Sequence, residues 1–358
     1  MYDISTPDHP SYGRHQTREE LNALLAPSRE SFDSVVEWLK KEGLSGVATI
    51  ENDWIVVDST IGAVEKLLQT EYKLYESTET GKTTVRVTEY SLPAALHAHV
   101  DIIAPTIKFS TPSTQRSMII KDMTIPASAL DRTHSGLDPV ACNTTITPQC
   151  IKSLYNFNHF RGSRRNGNQF ILAGFLEEYA QHADLAQFLQ TYDAEAVGSD
   201  FTEILINGGL QTQQNTTTVA LNMGEANLDI QYGLSLAYPT PTIYTSTGGR
   251  PPEISPDGTE LDNEPYLEFL TYLLALESIP QTISISYGDA EPGVPETYAD
   301  TVCNLFAQIA ARGVSVLVSS GDSGSGSNCS AQDPTKLLYS PSFPAECPFV
   351  VCTSSSNF

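Results

Sequence analysis

The sequence predicts an α/β protein: a small α+β unit over residues 1–108, a linker at 109–140, and a parallel sheet flanked by helices from 141 to 358. Three observations carry this. In the second part, apolar β-type runs alternate with helical patterns, as buried parallel strands with crossover helices do. The first hundred residues instead mix amphipathic helices with short strands, which suits an antiparallel sheet backed by helices. Between them, residues 109–140 are rich in Ser, Thr and Pro without sustained periodicity, the texture of an exposed, cleavable linker.

In the first unit, "TREELNALLAPS" opens with Thr17 and carries Glu20 three residues on, a capping box. "SRESFDSVVEWLKKEG" starts at Ser28, places Phe32, Val35, Val36 and Leu39 on one helical face, and stops at Gly43. The runs "WIVVDST" and "TTVRVTEY" read as strands, with a helical "AVEKLLQTEYKLY" between them. In the second part, "QFILAGF", "PTIYTST", "TISISYG" and "VSVLVSS" read as strands, and "ADLAQFLQTY", "EPYLEFLTYLLAL" and "ETYADTVCNLFAQIAARG" as helices. Gly313 is a helix C-cap that leads into "VSVLVSS". Ser319 to Gly324 therefore falls where a central parallel strand ends, and ligands of such sheets bind outside the carboxyl ends of the strands.

Composition excludes several classes. The net charge of −23 leaves no basic surface to displace counterions from phosphates, so nucleic acid is not an expected partner. No run of about 18 apolar residues occurs, so no membrane span is expected. The acidity is concentrated after the linker: residues 140–358 hold 7 Lys and Arg against 23 Asp and Glu, and 1–139 hold 13 against 20. Such self-repulsion is relieved in acid, which points to an acidic workplace. The amino terminus lacks the basic start and apolar stretch of a signal peptide. However, six cysteines without a Cys-x-x-Cys pair, and sequons at Asn143, Asn215 and Asn328, favour an oxidising, glycosylating route.

"VSSGDSGSG", residues 318–326, contains Gly-Asp-Ser-Gly, the phrase around the nucleophile of trypsin-like proteases. That reading needs a β-barrel, which the βα pattern contradicts, and a histidine base. Only His159 and His182 fall in the second domain, and both read as surface histidines. More informative is "MGEANLDIQYGLSLA", residues 223–237, which reads as a helix with Glu225 and Asp229 one turn apart on one face. No Lys or Arg lies between Arg165 and Arg250 to balance them. By itself the pair reads as a solvated acidic face.

Glu225-Ala-x-x-Asp229, followed about ninety residues later by Ser320-Gly321-Asp322-Ser323-Gly324, resembles the sedolisins, serine-carboxyl peptidases related to subtilisin. "YDISTPDHPSYGRHQTREEL" and "YSLPAALHAHVDIIAPT" resemble that family's propeptide, and "TPQCIKSLYNF" the start of its mature enzyme. "FLEEYAQHADLAQF", "SISYGD", "ARGVSVLVSSGDSGSG" and "SFPAECPFV" resemble successive segments of its catalytic domain, nearest to the tripeptidyl-peptidase branch with its secreted fungal enzymes. The resemblance implies a subtilisin-like parallel sheet whose C-terminal part is missing, preceded by a ferredoxin-like prodomain that inhibits the active site and is released by cleavage in the linker. It implies Glu225 as general base, Asp229 as the carboxylate that orients it, and Asp322 as the oxyanion-hole acid. Ser286, Tyr287 and Gly288 match the strand that pairs with substrate backbone. The chemistry is consistent with acid: glutamate, with a reference pKa of about 4.3, still accepts a proton where histidine is charged. An aspartic acid donates to an oxyanion only when protonated.

The resemblance also implies what lies elsewhere. The family's serine nucleophile comes downstream of "FPAECPFV", and Ser354, Ser355 and Ser356 do not match it. The expectation is a fragment cut at both ends and inactive as it stands. Calcium is expected in complete members, with ligands outside this chain; Cys329 resembles a cysteine whose partner is also outside. Cys142 with Cys150 and Cys303 with Cys347 are candidate closures that sequence alone does not fix. The implied activity is release of tripeptides from free amino termini, with endopeptidase cleavage as a variant, on peptide or protein substrates. The implied location is extracellular, with a lysosome or vacuole as the other acidic compartment. Two rivals remain: a non-catalytic relative that binds peptides or its own prodomain, and a glycosidase using Glu225 and Asp229.

Overall fold

The computed structural model describes residues 2–51, 53–76, 83–104, 106, 142, 144–213, 224–249, 265–291, 294–321 and 341–353. The linker at 109–140, Asp322, Ser323, Cys329 and Ser354 to Ser356 lie outside the described residues.

The first unit begins with α1 (Tyr2–Ser5), α2 (Arg18–Leu25) and α3 (Arg29–Lys41). Thr17 and Glu20 close the predicted capping box on α2, and the Ser28 side chain caps α3. Strand β1 (Ala48–Glu51) pairs antiparallel with β2 (Trp54–Val57), and α4 (Ile61–Leu68) follows. The helix expected over "AVEKLLQTEYKLY" stops at Leu68, where Gln69 turns left-handed at φ 51°. Its last residues form β3 (Lys73–Glu76), paired antiparallel with β4 (Thr83–Arg86). With the helix ended at Gln69, Leu74 and Tyr75 pair instead with Val85 and Thr84 in a ladder.

The second unit holds α5 (Pro148–Leu154), β5 (Phe170–Gly174), α6 (His182–Tyr192), β6 (Thr202–Ile206), α7 (Gly224–Ala237), β7 (Thr242–Thr247) and α8 (Tyr266–Ala275). It continues with β8 (Thr282–Ile285), β9 (Asp289–Ala290), α9 (Glu296–Ala311), β10 (Ser315–Ser319), β11 (Ser342–Phe343) and β12 (Val351–Thr353). Six strands form one parallel sheet in the order β12-β10-β8-β5-β7-β6. The short β9 and β11 pair antiparallel outside it. All four predicted strands are its inner members, in register from Leu317 opposite Ser284 to Gly174 opposite Ser246. Both outer strands went unpredicted, because "TEILI" and "VCT" are half-exposed edges without a continuous apolar run.

Apolar cores cover both faces. On one, Ile171, Ala173, Ile243, Ile283 and Val316 pack under α8 and α9. On the other, Leu172 and Tyr244 pack under α6 and α7 with Leu185, Leu189 and Ile230. The cysteines form Cys142–Cys150 and Cys303–Cys347, the latter tying α9 to the segment after β11.

The first unit lies against α8 and α9. Leu21, 4% exposed, enters the core beneath these helices, and Ile4, Trp54 and Ile102 pack on its margin. Arg18 donates to the Ala275 carbonyl at 3.0 Å and pairs with Glu277 at 2.9 Å, placing a cation at the carboxyl end of the α8 dipole. The Gln16 amide donates to the Ala311 carbonyl at the end of α9, and the His15 ring fills the space a Cβ on Gly313 would need. Arg18→Ala is expected to lower unfolding free energy by about 1 kcal/mol, since the pair is partly exposed. Chemical denaturation measures this, and no change would mean that Arg18 adds nothing to docking.

Candidate active site

The site forms at the carboxyl edge of the sheet, where β5, β7 and β8 end side by side. After Gly174 the chain cannot continue as a strand: Leu176 and Glu177 both adopt φ of 58°, a left-handed conformation unfavourable for side chains. Phe175, held edge-on by Tyr266, Phe269 and Tyr287 at 5.3, 5.4 and 5.3 Å, anchors this turn. The result is that Glu178 points inward, 6% exposed.

Glu178 lies at the start of α7. Its Oε2 accepts the Ala226 backbone N–H at 3.3 Å, one of the donors a helix leaves unpaired at its first turn. Glu225 and Asp229 fall on α7 as predicted, at its first and second turns. Ser286, immediately past β8, donates its hydroxyl to Asp229 Oδ1 at 2.8 Å. The Tyr244 hydroxyl donates to the Glu178 backbone carbonyl at 2.9 Å.

These neighbours shape the electrostatics. Burial pushes the Asp229 carboxyl up to about 7; the Ser286 hydrogen bond opposes this and the charge of Glu178 adds to it. The phenols of Tyr244 and Tyr287 are pushed well above their ordinary value, first by burial and then by each other's neighbourhood of Asp229, Glu178 and Glu225. Three carboxyls and two protonated phenols thus share one low-dielectric cluster. The phenols stay protonated, and the neighbouring Glu178 charge disfavours ionisation of Asp229.

The two described acids of the predicted set, Glu225 and Asp229, are brought together. Ser286 joins them through its side chain. Tyr287 is fully buried with its ring in the core, and Gly288 is buried beside it. Asp322 is not described, but Ser320 and Gly321 leave β10 at the same edge, with the Ser320 N–H bonded to Thr353. Glu178 was not singled out from the sequence; it is the second of two glutamates that follow the apolar run Phe170 to Leu176. Tyr244→Phe removes a buried donor and is expected to cost about 1–2 kcal/mol in equilibrium unfolding. Unchanged stability would show that this bond does not hold the turn.

Among the described residues, no three His, Cys, Asp or Glu side chains are arranged to hold a metal. Among them also, no helix is long and apolar enough to cross a membrane.

Residues 1–109 match the family model "Pro-kumamolisin, activation domain". Over 98% of its length the chain is 38% identical to "Tripeptidyl-peptidase SED2" of Arthroderma otae, covering 59% of that protein. It is 39% identical over 99% of its length to "Probable tripeptidyl-peptidase SED3" of Arthroderma benhamiae, covering 60% of it. The chain therefore spans about 60% of the length of these curated relatives. A solved Pseudomonas sedolisin, described as a serine-carboxyl proteinase, is similar at TM-score 0.37 and 17% identity, over 59% of this chain and 56% of that one.

A parallel α/β sheet with a carboxylate cluster at its carboxyl edge thus follows an activation domain of the pro-kumamolisin type, residues 1–109. Over nearly all of its length the chain is similar to fungal tripeptidyl-peptidases.

Proposed function

We propose that the whole protein is the zymogen of an acid-acting peptidase that releases tripeptides from free amino termini. The observation that carries this reading is the convergence of Glu178, Glu225 and Asp229 at the sheet's carboxyl edge, with Asp229 holding its proton up to about pH 7. In acid, Asp229 is then a protonated donor beside Glu225, and Glu225 is left to take the proton of a serine nucleophile. Glu178 holds the helix that carries both acids and, by its charge, helps keep Asp229 protonated. Asp322 would donate to the oxyanion, and the backbone at Ser286 to Gly288 would pair with the substrate chain. The nucleophile, by the family's order, falls beyond Phe358. The unit over residues 1–108 would inhibit the site until the linker at 109–140 is cut, in an extracellular or other acidic compartment. The three sequons would carry glycans.

The test is incubation of the whole protein with a peptide bearing either a free or an acetylated amino terminus, at about pH 4 and about pH 7. Stepwise loss of three residues from the free peptide alone, in acid alone, is the expected mass spectrum. Internal cuts in both peptides would make it an endopeptidase. Binding without cleavage would leave the non-catalytic reading.

A further inference from the structure

Outside the acid cluster, one titratable group is held in an unusual way. His182 opens α6 with Nδ1 2.6 Å from Asp200 Oδ1 and Nε2 2.9 Å from Glu203 Oε1, its ring stacked on Phe201 at 4.1 Å and 7°. A neutral imidazole has one N–H and can satisfy only one of those carboxylates; the imidazolium satisfies both. Between Arg165 and Arg250 His182 is the single basic side chain, against nine Asp and Glu.

This ring is tied to the site by a short chain of bonds. The His182 backbone N–H donates to Gln213 Oε1 at 3.1 Å, and Gln213 Nε2 donates to the Ala180 carbonyl at 2.8 Å and toward Glu203 at 3.4 Å. Gln211 donates to the same carbonyl at 2.6 Å, and the Gln181 side chain donates to the Thr212 carbonyl at 2.8 Å. The Gln181 N–H donates to Asn227 Oδ1 at 2.9 Å, within the first turn of α7, where Glu225 also lies. Residues 178–184 thus join the end of β5, the segment after β6 and the start of α7.

We propose that His182 is a positioning residue: as an imidazolium it clamps Asp200 to Glu203, fixes residues 178–184 against 207–213, and so holds the first turn of α7 in place. What that turn does rests on the peptidase reading above; the clamp itself does not. The charged groups facing the ring are Asp200 and Glu203. Asp184, on the same helix, gives its carboxylate to Asn227 Nδ2 at 2.8 Å, and 207–213 brings only amides. Burial opposes the charge, but the bonds and charges of Asp200 and Glu203 outweigh it and hold the imidazole above its ordinary value. With the folded value raised, the clamp is complete below about pH 6.5 and is lost as pH rises through the folded value.

Hydrogen exchange of the 358-residue chain, corrected for intrinsic rates from about pH 5 to about pH 9, tests this. Protection of 178–184, 207–213 and 224–230 is expected to fall roughly tenfold as His182 deprotonates, while helix 296–311 does not change. His182→Gln should lack the step and show low protection throughout. His182→Arg, charged at every pH used, should keep protection to the alkaline end and, in the whole protein, move the alkaline limb of kcat upward. A step that is absent from the native chain, or that persists in either variant, overturns the clamp. Peptide cleavage without a step overturns the clamp alone, and a step without any peptidase activity overturns the peptidase reading alone.

Discussion

Glu225→Gln is expected to slow acid-pH tripeptide release by about a hundredfold or more, with KM little changed. The amide keeps the size of the carboxylate and its place on α7 but cannot accept a proton from a hydroxyl. The amide keeps the side chain's volume beside the buried Tyr244 and Tyr287 phenols, so the variant should be about as stable as the native chain. Lost turnover with unchanged unfolding free energy is therefore the combination that marks a base. The measurement is the pH-rate profile of the matured whole protein alongside its denaturation curve. Turnover within a few-fold of native would remove Glu225 from the chemistry.

Asp229→Asn is expected to change how stability depends on pH. In the native chain the carboxyl holds its proton up to about 7, against about 3.9 for an unfolded aspartate. Between those values the folded state binds a proton that the unfolded state has lost, so stability falls as pH rises across this window. The full penalty, reached above about pH 7, is on the order of 4 kcal/mol. It is absent below the unfolded value. Asparagine carries no such penalty and can still accept from Ser286, so the variant should lose this part of the slope. Denaturant unfolding at steps from about pH 4 to about pH 8 should give two curves that diverge with rising pH. Parallel curves would place Asp229 in contact with water.

The parts legible in the sequence were those where burial is continuous. The four inner strands and the helices at 182–192, 224–237, 266–275 and 296–311 followed from apolar periodicity. The edges did not: β6 carries exposed Glu203 and Leu205, and β12 is exposed at all three positions. β3 was hidden because Glu71 to Tyr75 continues a helical pattern that only the left-handed Gln69 interrupts. At the site, the spacing of Glu225 and Asp229 puts them on one helical face, but by itself it reads as a solvated acidic face, and only the family resemblance singles them out. Glu178 was not legible, since its place depends on two consecutive left-handed residues that no pattern announces. His182 resembled a surface histidine because its partners, Asp200 and Glu203, are 18 and 21 residues away in sequence.

Arg18 and Gln16 grip α8 and α9 at their carboxyl ends. Those ends lie at the opposite rim of the sheet from Glu178 and Asp229, because each crossover helix runs counter to its strands. Severing the polypeptide and vacating that grip are consequently separate events. On the peptidase reading proposed above, a nicked precursor would persist as a two-piece complex, and the lifetime of that complex, rather than the cut itself, would time the appearance of activity.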